Sequence, residues 1–306
     1  MLDTLSRRST ISAGRFGNRG DYVMRSQDNQ SLSLEEMRRR LPAIFAPHAH
    51  ESRSDRYVYI STEDMVNALM ERGFVPVEAR MGRSRIEDKQ NYTKHMLRFR
   101  QESDLKNLDA RRVGDTSYEV ILRNAHDGTS AYRFMAGLLR LACLNGLVVS
   151  EGTASDVHVL HKGNRQEQLS HVIEGAFTVL EHGPTVMETV RDWQAMPLSR
   201  DEQQVMAEAA HTLRFADAEG NVETPIKPEQ LLIPRRPSDH GSSLWQTFNV
   251  VQENVIRGGL TAFGRDKANR LRKTTTREVK GIDGDIKLNR ALWTVAQKMA
   301  ELKQAA

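Results

Sequence analysis

A chain of 306 residues can hold a sizeable core and two subdomains, since domains usually run to roughly 100–200 residues. Its hydrophobic share of 39% and charged share of 27% describe an ordinary globular protein and exclude wholesale disorder. A formal charge of +4, from 44 Lys+Arg against 40 Asp+Glu, leaves any case for an anionic partner to local clustering, and the single cysteine, Cys143, excludes an internal disulfide and a thiolate zinc cage. No apolar run reaches the roughly 20 residues that span a bilayer. The segment Leu2 to Arg8 has no hydrophobic stretch to act as a secretion signal, so a cytoplasmic protein without membrane contact is expected.

Residues 1–32 are rich in Ser, Arg, Gly, Asn and Asp and are read as a flexible basic arm. Ser33 and Glu36 have capping-box spacing ahead of a helix over Leu34 to Leu41, which Pro42 stops. A second helix is expected from Thr62 to Arg72, ended by Gly73. The periodicity then shifts towards two, giving strands at Phe74 to Ala79, Tyr92 to Arg100 and Tyr118 to Arg123. Asn124-Ala125-His126-Asp127-Gly128 has turn composition and leads into Ser130 to Phe134, a hairpin. A short helix over Gly137 to Asn145 and strands at Leu147 to Val149 and Val157 to Leu160 complete this part.

From Asn164 the chain reads as helical, with Ile173, Phe177 and Leu180 on one stripe and Gly183-Pro184 as a break. Further helices are expected over Arg200 to Phe215, Leu244 to Arg257 and Leu288 to Lys303. The predicted fold class is α+β: a mostly antiparallel sheet with packed helices over 33–163, followed by a helical region over 164–306 with a basic loop near 258–280.

Two stretches concentrate cations. Arg80 to Arg100 carries Arg80, Arg83, Arg85, Lys89, Lys94, Arg98 and Arg100, and Arg257 to Lys280 carries Arg257, Arg265, Lys267, Arg270, Arg272, Lys273, Arg277 and Lys280. With Tyr92, Phe99 and Phe263 interleaved, they suit phosphate contact and base stacking. Gly258 to Lys273 is expected to form a mobile loop without the glycine-to-lysine spacing of a phosphate-binding P-loop. His126-Asp127-Gly128 reads as turn chemistry. Asp283-Gly284-Asp285 reads as capping ahead of the last helix. Cys143 and the three tryptophans, Trp193, Trp245 and Trp293, read as core.

The strings His50-Glu51-Ser52-Arg53-Ser54-Asp55-Arg56-Tyr57, Tyr92-Thr93-Lys94-His95-Met96-Leu97-Arg98, His126-Asp127-Gly128 and Cys143-Leu144-Asn145-Gly146-Leu147 resemble a family of plasmid and prophage proteins, domain of unknown function 932. So do Pro234-Arg235-Arg236, Gln252-Glu253-Asn254-Val255-Ile256-Arg257-Gly258-Gly259-Leu260 and Gly281-Ile282-Asp283-Gly284-Asp285. The resemblance runs from about residue 33 to the C-terminus. It implies a mobile-genetic-element setting and transfers no activity.

The expected function is DNA binding, with single-strand binding or annealing as its finer form and a homo-oligomer as its state. Arg53, Arg56, Lys94, Arg98, Arg235, Arg236, Arg265, Arg270 and Arg272 are the expected phosphate contacts. No cofactor is predicted under this reading. An alternative is a metal-dependent enzyme acting on phosphodiesters or nucleotides, with His50, Glu51, His126 and Asp127 around a divalent ion. Separately, His48 and His50 on one side of an extended segment could share a metal site with His158 or His161, although they read first as polar loop residues. Another is a factor that binds host-defence proteins.

Overall fold

The computed structural model describes residues 22–26, 30–106, 116–140, 145–149, 156–159, 161, 164–265 and 269–305. Their contacts divide the chain into two compact units. The first takes Met1–Arg111, Ser117–Gly137 and Asp156–Leu180, and the second Arg112–Thr116, Leu138–Ser155 and Glu181–Ala306. The fold is α+β, with an antiparallel sheet and with helices dominating the C-terminal half. No helix among the described residues is long and apolar enough to cross a membrane.

In the first unit Ser33 caps α1 (Leu34–Arg40) by accepting from the Glu36 amide, and Pro42 opens a 3-10 turn where α1 stops. Ser61 caps α2 (Thr62–Met70) in the same way, and Gly73, at φ +78°, turns the chain into the sheet. The strands are β1 (Tyr22–Arg25), β2 (Phe74–Met81), β3 (His95–Gln101), β4 (Thr116–Asn124) and β5 (Tyr132–Arg140), hydrogen-bonded in that order, with β7 (Asp156–Val159) also on β5. β6 (Asn145–Val148) follows β5 in the order.

β1 lies inside the stretch expected as a mobile arm. It is ordered because Tyr22–Arg25 pair with Met81–Glu78 along the free edge of β2, a source of hydrogen bonds that composition does not reveal. The helix expected over Gly137 to Asn145 is also corrected. Gly137–Arg140 continue β5, and residues 141–144, including Cys143, lie outside the described residues.

Register sorts the sheet into two faces, because paired residues share a side. Ala79, Leu97 and Leu122 line one face, with Met81, His95 and Asn124 beyond them; Arg25, Glu78, Arg98 and Ile121 line the other, with Arg80, Met96 and Arg123. The second face buries charge. Glu119 is fully buried and bridges Arg98 at 2.9 Å and Arg100 at 2.7 Å. Glu78 pairs with Arg80 and Arg25. Burial alone would push its carboxyl up, but the guanidinium groups of Arg80, Arg25 and Arg98 outweigh this and hold it well below the usual carboxylate range.

The short α3 (Glu102–Lys106) follows β3, and α4 (Arg165–Glu181) closes the first unit. Its buried line is Val172, Ala176 and Val179, while the expected stripe of Ile173, Phe177 and Leu180 flanks that line half-exposed. Phe177 lies under the Arg72 guanidinium, 4.6 Å from the ring centre, a contact that rewards partial exposure.

The second unit is built on α5 (Gly183–Ala195), α6 (Arg200–Phe215), α7 (Leu244–Arg257) and α8 (Ile282–Ala305). Complete capping boxes, Ser199 with Glu202 and Ser243 with Gln246, start α6 and α7 at the expected residues. Asp283-Gly284-Asp285 sits inside the first turn of α8 rather than ahead of it; Asp285 is buried and accepts from Asn289 at 2.5 Å. Trp193, Trp245 and Trp293 are core, with the Trp193 and Trp293 ring centres 4.4 Å apart. This half also holds a two-stranded sheet, β8 (Thr261–Arg265) and β9 (Leu271–Thr275), where a mobile loop was expected.

Candidate functional site

Three of the quoted motif strings, far apart in sequence, meet in the first unit. The His50 amide donates to the His126 carbonyl at 2.9 Å, and the His126 and Asp127 amides donate to the Tyr92 carbonyl at 2.9 and 3.1 Å. The Tyr57 hydroxyl donates to the Ala125 carbonyl at 3.0 Å. Gly128, at φ +78°, ends the turn, and the Arg53 side chain fills the place where a Cβ at that position would stand. Asp127 keeps its carboxylate in the turn, accepting from the Thr129 amide at 3.0 Å and its hydroxyl at 2.6 Å, as expected of turn chemistry.

Behind this turn lies a buried polar cluster centred on the Thr62 hydroxyl. His95 Nε2 stands 2.9 Å from it, His126 Nε2 3.2 Å and Asn124 Nδ2 3.1 Å. His95 Nδ1 donates to the Thr93 carbonyl at 3.0 Å, so in the neutral ring Nε2 must accept, and it takes the single Thr62 hydroxyl proton. Thr62 Oγ1 is then left with acceptor capacity only. Asn124 and His126 donate to it, which fixes His126 as the Nε2–H tautomer. Its other nitrogen, Nδ1, is buried without a hydrogen-bond partner. His161 donates from Nδ1 to the Val58 carbonyl at 2.9 Å and stacks on Tyr57 at 4.6 Å. Burial lowers all three imidazoles, His95 to about 4 and His126 to about 2, with the neighbouring imidazoles adding to the depression.

The four donors proposed for a divalent ion do not converge. His50 Nδ1 is bonded to Ser52 at 2.8 Å, His126 faces Thr62, Asp127 is held by Thr129, and Glu51 is exposed on its loop. His158 is exposed, and His161 is turned to Val58 and Asn124. Among the described residues, no three His, Cys, Asp or Glu side chains are placed to hold a metal.

The expected phosphate contacts fall into two groups. Arg98 is 1% exposed and bonded to Glu119, so it serves the sheet and does not reach solvent. Lys94 is half-buried just ahead of β3, and Arg53 and Arg56 lie on the motif loop, Arg56 exposed. Arg236 binds Asp239 at 2.7 Å and also Glu253. Arg235 donates to Asn254 at 2.9 Å and to the Gly258 carbonyl, which makes it a brace for the root of the β8–β9 hairpin. Arg265, Arg270 and Arg272 are exposed on that hairpin.

The hairpin root is specified by backbone geometry. Gly258 has φ +64° and ψ −150°, a region open to glycine alone, and a Cβ there would fall 2.6 Å from the Arg277 carbonyl carbon. The Gly259 amide donates to the Thr276 carbonyl and the Thr276 amide to the Leu260 carbonyl, both at 2.8 Å. Gly258→Ala is expected to cost the second unit about 1–3 kcal/mol, measured by thermal melting on tryptophan fluorescence. Gly259→Ala should cost less, because nothing lies within 4 Å of its Cβ position although φ is +88°.

Register then sorts the hairpin residues. Phe263 pairs with Lys273 and Arg265 with Leu271 on one face; Ala262 with Thr274 and Gly264 with Arg272 lie on the other. On the second face Gly264 lies against Pro225, whose ring a Cβ there would meet at 2.9 Å, while Arg272 and Thr274 stay exposed. Gln230 donates to the Thr261 carbonyl at 3.0 Å and steadies the same strand. The first face is exposed, with Phe263 and Leu271 each at 66%.

Comparison with known proteins gives the chain its context. The family described as Domain of unknown function (DUF932) matches residues 49–293. Two proteins of Escherichia coli (strain K12), "UPF0380 protein YfjQ" and "UPF0380 protein YafZ", are each 41% identical over 290 residues, covering 95% of this chain and 98% of theirs. No solved structure matches.

Proposed function

The chain belongs to the DUF932 family, and on that premise we propose that it is a DNA-binding protein of a mobile genetic element whose contact element is the β8–β9 hairpin. The observation that carries this reading is a braced, exposed two-stranded ribbon with Arg265, Arg270, Arg272 and Lys273 along it. A two-stranded ribbon is slim enough to follow a nucleic-acid backbone or enter a groove, and its cations would displace the counterions condensed on phosphates. Arg265 donates to the Asn269 carbonyl at 2.9 Å, a bond that holds its side chain along the ribbon.

Binding to labelled DNA across a salt series tests the proposal. Neutralising Arg265, Arg270 and Arg272 together to glutamine should weaken binding and flatten the log–log salt slope by about 2–3, as expected for three lost phosphate contacts. A slope unchanged in the triple variant would remove the hairpin from the interface. No salt-sensitive binding by the parent protein would remove the function itself.

A further inference from the structure

We infer that the outward face of the β8–β9 hairpin is a stacking platform for unpaired nucleobases, so that the protein prefers single strands to duplex. The inference rests on the DNA-binding reading and names the form of nucleic acid that this surface fits. On that face the register sets a two-by-two pattern, with Phe263 beside Lys273 and Arg265 beside Leu271. The apolar pair therefore lies on one diagonal and the cationic pair on the other. Same-face positions along a strand lie roughly 6.8 Å apart, so a base on Phe263 would have Arg265 one such step along the strand and Lys273 directly across, both within reach of its phosphate.

Two physical terms decide between strand forms. A phenyl ring gains from an aromatic partner only over its face, and in a duplex the base faces are covered by their neighbours while the edges alone are presented. To reach a base face in duplex the ring would have to wedge into a step and unstack it, at a cost of a few kcal/mol that a single strand does not incur. The cations serve either form, so discrimination falls to Phe263, with Leu271 extending the apolar surface. Exposure of 66% for each places their side chains outside the core, and charge complementarity identifies the occupant as polyanionic. An apolar partner protein has no use for the cationic diagonal.

The experiment compares a labelled 20-nucleotide oligothymidine with a blunt duplex of the same length, using the full chain, by fluorescence anisotropy at fixed salt. Single-strand binding tighter than duplex binding is expected. Phe263→Ala should weaken the single-strand complex by about 5- to 150-fold and the duplex complex by less than about 2-fold. Phe263→Trp should restore it, because any broad aromatic face suffices. Since Phe263 is exposed, an unchanged melting curve of the alanine variant verifies its fold. Equal affinities for both forms, or an equal loss on both in Phe263→Ala, would overturn the platform and leave DNA binding standing. Absence of binding to either probe overturns both. A further overturning outcome is an alanine variant that binds normally but changes from dimer to monomer in sedimentation, which would assign the face to a second copy of the chain.

Discussion

Replacing Glu119 with alanine is expected to destabilise the first unit by about 3–5 kcal/mol, because it removes the carboxylate that bridges two buried guanidinium groups. Glu119 is fully buried, Arg98 is 1% exposed and Arg100 7%. At this depth the arginines cannot recover hydration without opening the sheet between β3 and β4, so the lost interaction is not replaced by solvent. Glu119→Gln should lie between alanine and the parent, since an amide oxygen still accepts from one arginine but brings no charge. Arg56→Ala, on an exposed loop, should stay within about 0.5 kcal/mol. The readout must be local to the first unit. All three tryptophans lie in the second, so their fluorescence should barely move, while hydrogen exchange of the β3 and β4 amides reports the loss. A normal exchange pattern in Glu119→Ala would mean that the pairs contribute specificity rather than stability.

The same residues show why part of the molecule is legible in sequence and part is not. α6 and α7 start where Ser199 and Ser243 place them, since a cap is a local signal with its partner three residues away. The start of β5 is read as a hairpin strand, but its end from Gly137 escapes because it is buried on both sides; Leu138 and Leu139 are both inside, so the alternation that marks a strand vanishes and a helix fits the same apolar run. The β8–β9 hairpin escapes for the opposite reason. Exposed on most of its positions, it has no apolar alternation, and only the β-branched run Thr274-Thr275-Thr276 after Leu271 hints at a strand. Arg98 and Arg100 resemble surface cations until the register of β3 against β4 is known, because Glu119 is 21 and 19 residues from them in sequence. The turn at His126-Asp127-Gly128 is read correctly, yet the histidines it screens are invisible as a cluster: the partner that His95 and His126 share is a threonine on α2, and His161 joins them through Asn124.

That cluster makes stability depend on pH above the range in which carboxylates act. In the unfolded chain His95 and His126 take up protons as pH falls through about 6.5. In the folded chain burial holds them down, to about 4 and about 2. The unfolded state therefore binds more protons between these values, and stability is complete above about 6.5 and lost as pH falls towards 4. Two such histidines give a slope of about 2.7 kcal/mol per pH unit in that window. Glu78 acts in the same sense but lower, because its depressed carboxyl stabilises the fold above about 4.5 and gives way only beneath it.

One effect opposes the histidines. A proton on His161 Nε2 would let it donate to Asn124 Oδ1, 2.9 Å away, a charge-assisted bond of about 1.5–3 kcal/mol. Confining an imidazolium at that depth costs several kcal/mol, with no carboxylate among the hydrogen-bond partners of the three rings, so the neutral cluster prevails at pH 7. His126 gains nothing in return, since its Nδ1 has no acceptor to meet a new N–H. Hydrogen exchange of first-unit amides at pH 7, 6 and 5 should show the loss in parent protein, and His126→Phe should remove about 1.4 kcal/mol per pH unit of it. A profile flat from pH 7 to 5 would mean that the cluster opens to solvent and takes up its protons without unfolding.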